Sequence, residues 1–81
     1  WDVHADDMLM EEARALTASL AAGPTFGLAQ TKACIQAAAT HDLSDHLDME
    51  ADAMKLCGES ADYAEGVSAF LQKRPAEFQG R

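Results

Sequence analysis

Ser60-Ala61-Asp62-Tyr63-Ala64-Glu65-Gly66-Val67-Ser68-Ala69-Phe70-Leu71-Gln72-Lys73-Arg74, followed by Pro75 and Phe78, is the stretch that decides the fold. It reads as a helix with both ends marked. Ser60 or Asp62 offers a side-chain oxygen for the first turn, and Asp62 with Glu65 three residues later has the spacing of a capping box. Ala64, Val67 and Leu71 form an apolar stripe at helical spacing, with Phe70 alongside. Pro75 lies just past the end. Gly66 falls inside the helix, where glycine costs roughly 1 kcal/mol against alanine. Either another backbone comes close there, or the position is exposed and free to drift. The tail beyond Pro75 carries one apolar anchor, Phe78.

Upstream, the chain divides into three more helices. Asp6 and Asp7 can cap the first, and Glu11 and Glu12 suit its positive end. Its stripe is Leu9, Ala13, Leu16 and Leu20, and Gly23-Pro24 stops it. The second helix starts at Pro24 or Thr25 and should end near Thr40-His41, with Leu28, Thr31, Ile35 and Ala38 as its apolar face. Asp42 or Ser44 caps the third, which carries Leu43, Leu47, Glu50 or Ala51, Met54 and Cys57 and ends at Gly58. The predicted fold is all-α: four short helices in one unit, with a strand conceivable only in the stub at residues 1–3. Each helix is near or below the roughly 12–15 residues at which an isolated helix becomes marginally stable, so packing must hold it. The bare Trp1, with no preceding cap or turn, is what a cut through a larger chain would leave.

Composition points the same way. The 81 residues carry a net charge of -8, and although 48% are hydrophobic, much of that share is alanine. Leu, Ile, Val and Phe together number only 14. So little apolar bulk at this charge implies either weak folding or helices that pack on other protein; the clean helical patterning favours the second. The acidity argues against nucleic acid and anionic membranes as partners. No apolar run approaches the roughly 20 residues of a membrane span, and the start has neither the basic nor the apolar region of a signal peptide.

Few residues are placed for chemistry. Glu50 sits on the apolar side of the third helix and needs a partner there, for which Lys32 is the natural candidate. His41 and His46 are five apart and do not share a helix face; His46 and Glu50 do, but two ligands make no zinc site. Cys34 and Cys57 read as free thiols of a cytosolic protein, behaving as small core hydrophobes. No catalytic residue and no metal ligand is expected. Lys73 and Arg74 belong to a basic cluster at the chain's end; such cations also simply suit a helix C-terminus, and Phe70 could equally be core.

The segment from Ser60 to Arg74, with Pro75 and Phe78, closely resembles the C-terminal signature of the crotonase superfamily: Ser/Thr-x-Asp-x-x-Glu-Gly, then Ala-Phe, then Lys-Arg and a Phe in the tail. Leu20-Ala21, Gly23-Pro24-Thr25-Phe26-Gly27-Leu28, Lys32, Leu47 and Glu50 fit the upstream pattern, so the resemblance covers almost the whole chain. The Pro24 to Leu28 run with the Ser60 segment is most similar to the phenylacetate-catabolism branch, whose members isomerise ring-1,2-epoxyphenylacetyl-CoA. Two positions depart: Gln72 stands where an acidic residue is frequent, and Pro75 comes early.

The resemblance implies that residues 1–81 are the C-terminal helical, trimerising domain of a cytoplasmic enoyl-CoA hydratase or isomerase. The catalytic spiral core lies elsewhere, and the segment alone is inactive. It implies partners as well: the protein's own N-terminal core, neighbouring subunits of a homotrimer or a dimer of trimers, and an acyl-CoA, with coenzyme A thioester as substrate. Lys73 and Phe70 would then reach the CoA nucleotide, an ammonium meeting phosphate and a ring meeting adenine. The alternative is a free-standing acidic helical binding module using the adaptable Met8, Met10, Met49 and Met54.

Overall fold

Polar side chains fix where the last two helices begin. In the computed structural model, which describes residues 2–81, Asp42 accepts a hydrogen bond from the Asp45 amide at 2.9 Å and starts α3, Leu43–Gly58. Ser60 Oγ accepts from the Tyr63 amide at 3.0 Å and starts α4, Ala61–Gln72. Ser60 is therefore the cap, and the expected Asp62–Glu65 capping box does not form, because both carboxylates are engaged by the tail. Before these come α1, Leu9–Ala21, and α2, Thr25–Ala37. Asp6 and Asp7 lie in the turn leading into α1 rather than at its cap, which falls on Met8 with no side-chain acceptor. The second helix stops at Ala37, short of Thr40-His41; the Thr40 and His41 amides both turn back onto the Ala37 carbonyl, at 3.0 and 3.1 Å. Among the described residues there is no strand: Asp2 and Val3 have no regular structure, and Trp1 lies outside the described range.

Helices α2, α3 and α4 turn most of the stripes read in sequence outward, Cys57 of the third excepted. On α2 the less exposed positions are Phe26, Gly27, Gln30, Ala33, Cys34 and Ala37, while Ile35 is 70% exposed. On α3 they are His46, Met49, Ala53 and Cys57, while Leu43, Leu47 and Met54 stand out in solvent. On α4, Asp62, Glu65, Gly66, Ser68 and Ala69 turn inward and Val67, Phe70 and Leu71 outward. Mostly small side chains, with Phe26 and Met49 as bulky apolar exceptions, line the sides that turn inward, and most of the bulky apolar residues are left uncovered. The first helix goes further, with every residue exposed.

Size measures the consequence. A compact globule of this mass would expose roughly 4,700 Å² and have a radius of gyration of about 12 Å. The chain exposes 6557 Å² with a radius of 15.9 Å. Its extents, 45 × 38 × 17 Å, describe a slab less than two helix diameters thick. Such a slab has two faces and scarcely any interior: the only buried hydrophobic residues among those described are Ala53 and Ala69.

Candidate functional site

The densest set of long-range side-chain hydrogen bonds lies where the tail folds back along α4. Asp62, 3% exposed in the first turn, accepts from the Gln79 amide at 2.7 Å and from the Gly80 amide at 3.0 Å, while its own amide donates to the Arg81 carbonyl at 2.9 Å. A buried carboxylate is costly unless it is hydrogen-bonded; here backbone amides and the positive end of the helix both serve it. Gly80 completes the contact with φ +76°, and a Cβ there would stand 2.5 Å from Thr25 Oγ1, so the tail is seated against the start of α2 as well.

One turn on, Glu65 grips the other side of the tail. Arg74 Nη1 and Nη2 donate to its two oxygens at 2.6 and 2.9 Å, and the Glu77 amide adds a third bond at 2.8 Å. These donors, the Arg74 guanidinium first and the Glu77 amide next, hold the Glu65 carboxyl down at about 2, below its ordinary 4.5. The same pairing raises Arg74 above its usual value. Gln72, at the position where an acidic residue is frequent, accepts from Arg74 Nε at 2.8 Å. Arg74 also donates to the Pro75 carbonyl at 3.0 Å, so four of its five N–H donors are engaged within the chain. The Phe78 ring lies over Gly66, where an added Cβ would make ordinary contact at 3.5 Å. Gly66 thus admits an aromatic ring of its own tail rather than another backbone.

Between these anchors stands Lys73. Its φ and ψ of 52° and 41° put it in the left-handed region, as the residue that closes α4 in a Schellman turn. The Arg74 amide reaches the Ala69 carbonyl at 3.1 Å and the Lys73 amide the Phe70 carbonyl at 3.2 Å. Glycine usually takes this place, and another residue costs about 1–2 kcal/mol. Lys73 makes no ion pair among the described residues, and Phe70, one turn earlier, is 82% exposed. Phe70 is therefore not a core residue of this chain, and the two sequence candidates lie near one another at the same exposed helix end.

The other candidates are placed differently. Glu50 pairs with His46, four residues away on α3, at 3.3 Å, and not with Lys32. Its side chain is half exposed, so the burial that called for a cation from α2 does not arise. His46 lies edge-on to His41, ring centres 5.9 Å apart, and its Nδ1 is buried without a partner among the described residues. Cys34 and Cys57 are free and share the wall of an open apolar groove of about 500 Å³ between α2 and α3. A second groove of about 460 Å³ runs along α4 beside Tyr63, Val67 and Phe70. No group of three or more metal-ligating side chains is assembled among the described residues.

Sequence reasoning missed the clasp of Asp62, Glu65 and Arg74. Its signal is present: two acids on one helical face, an arginine nine residues after the second, and a glycine near the end of a polar tail. A capping box uses the same two acids, which hides it.

Comparison with known proteins fits this architecture. The enoyl-CoA hydratase/isomerase family model matches residues 1–81. The chain is 48% identical over its full length to the 1,2-epoxyphenylacetyl-CoA isomerase of Escherichia coli K12, and 40% identical to a probable enoyl-CoA hydratase of Rhodobacter capsulatus. It spans only about a third of these relatives, 31% and 32% of their lengths. Among solved structures, 98% of the chain superposes on an enoyl-CoA hydratase from Geobacillus kaustophilus with a TM-score of 0.90 at 28% identity, covering 30% of that protein. Helix for helix, the slab with outward apolar faces is a piece of that fold, and the chain belongs to the enoyl-CoA hydratase/isomerase family.

Proposed function

We propose that this chain is the C-terminal helical segment of a cytoplasmic acyl-CoA hydratase or isomerase, and that it works by assembly. It covers the catalytic core and joins neighbouring subunits as a homotrimer or dimer of trimers. The supporting observation is the orientation of its helices: Leu43, Leu47, Met54, Phe70 and Leu71 all point outward from a slab whose buried residues, among those described, are only Ala53, Asp62 and Ala69. Apolar stripes of this kind stabilise a protein only when something covers them. The core on which they pack would carry the chemistry, polarising a thioester carbonyl through backbone donors and moving protons with carboxylates; such a segment alone is inactive. The 48% identity to a 1,2-epoxyphenylacetyl-CoA isomerase favours that substrate class for the whole protein.

Lys73 and Phe70 have an accessory part at the CoA nucleotide. Their exposure and shared position leave an ammonium and a ring face open to phosphate and adenine. Replacing Lys73 with Ala in the full-length enzyme should raise KM for acyl-CoA and leave kcat nearly unchanged, the pattern of a contact made equally in ground and transition states. An unchanged KM removes the nucleotide contact. Sedimentation of the 81-residue chain tests the assembly role: self-association or loose, non-cooperative melting is expected. A compact, cooperatively melting monomer at low concentration overturns it in favour of a free-standing acidic binding module.

A further inference from the structure

We infer that Glu65 is a positioning residue for Lys73, presenting its ammonium to the phosphates of coenzyme A through the Arg74 clamp. The inference rests on the nucleotide contact proposed above and adds the device that makes the contact possible. Lys73 occupies a left-handed backbone conformation, which costs a lysine about 1–2 kcal/mol. The residues on either side of it are tied together: Gln72 Oε1 accepts from Arg74 Nε at 2.8 Å. Arg74 is in turn fixed to Glu65 by a two-pronged pair, and Glu65 also holds the Glu77 amide. Lys73 is the apex of this closed loop. A lysine at a frayed helix end would have to order its backbone as well as its side chain on binding, at a cost in affinity; a braced one has already lost the backbone part of that freedom.

The brace also separates the two basic residues. Arg74 spends four of its five N–H donors inside the chain and its charge on Glu65, whereas Lys73 has no ion pair among the described residues and is the cation of the two left for a ligand. Adjacent cations would ordinarily be expected to share a phosphate; here one serves as scaffold for the other. Gln72 suits this work because a neutral amide can accept from Arg74 Nε without competing with Glu65 for the guanidinium charge.

Binding of free coenzyme A to the full-length enzyme, followed by calorimetry, tests the inference, with pantetheine as the probe that lacks the nucleotide. Lys73→Ala should raise Kd for coenzyme A about tenfold, and Glu65→Ala about fivefold, which corresponds to roughly 1 kcal/mol. Neither should change pantetheine binding. In the Lys73→Ala background, Glu65→Ala should add nothing, because the two act on one contact. Glu65→Gln, which keeps an acceptor for Arg74 and for the Glu77 amide, should restore most of the affinity. If Lys73→Ala lowers affinity but Glu65→Ala adds its full effect in that background, or weakens pantetheine equally, Glu65 is merely structural and the inference fails. If Lys73→Ala itself changes nothing, the nucleotide contact fails, and the inference with it.

Discussion

The first helix and the last are of similar length and opposite character. In α1 each residue is exposed and its cap has no side-chain bond. At the other end, α4 and its tail are joined by a buried carboxylate, a two-pronged ion pair, an aromatic ring over Gly66 and a tight glycine turn. Both helices carry apolar stripes that the chain leaves uncovered. One end is held locally by directed hydrogen bonds; the other has no residue buried by this chain. Stability in this segment should therefore be uneven, and that unevenness can be tested.

The largest effect should come from Asp62→Ala. It removes the acceptor for the Gln79 and Gly80 amides, and hydrogen bonds to a charged group contribute about 1.5–3 kcal/mol. Hydrogen exchange should show protection at those two amides falling about a hundredfold, with α1 unchanged. Equal loss at both ends would mean that the two regions are one cooperative unit. Gly80→Ala should follow at about 2 kcal/mol, since it adds a left-handed strain and forces Thr25 to move.

The clamp should show a smaller, pH-dependent loss, because Glu65 and Arg74 are partly open to solvent and screened. The folded carboxyl sits at about 2 against an ordinary 4.5, so it is depressed. Its contribution is complete above 4.5 and fades as pH falls toward 2. Protection of the Glu77 amide should decline over that window in the wild type and be pH-insensitive in Glu65→Gln. The smallest effect belongs to α1: Leu16→Ala should shift the stability of the isolated chain by less than about 0.5 kcal/mol, as for a surface site. In the full-length protein the same change should cost several times more if α1 is covered there. A large effect in the isolated chain would erase the contrast between the two ends.

Helix number and most boundaries are legible in the sequence, because caps and prolines act locally. Asp42 and Ser60 bond to amides three residues away whatever the rest of the chain does. Family membership is equally legible from the Ser60 to Arg74 segment. The direction in which each helix faces is not. A stripe such as Leu28, Thr31 and Ile35 reports that apolar cover is needed, yet periodicity cannot tell whether the cover comes from the same chain. The partner of Glu50 follows the same rule: Lys32 depends on how α2 meets α3, whereas His46 lies on the same helix.

From sequence alone came four helices, an acidic chain short of bulky apolar residues, and the family to which it belongs. Tertiary structure decided that mainly small residues turn inward while most of the large apolar side chains look outward, and that Asp62 and Glu65 hold the tail instead of capping a helix. The physical reason is distance along the chain. Hydrogen bonds within one turn are fixed by local geometry, but a carboxylate that reaches amides 17 and 18 residues away depends on how the backbone returns.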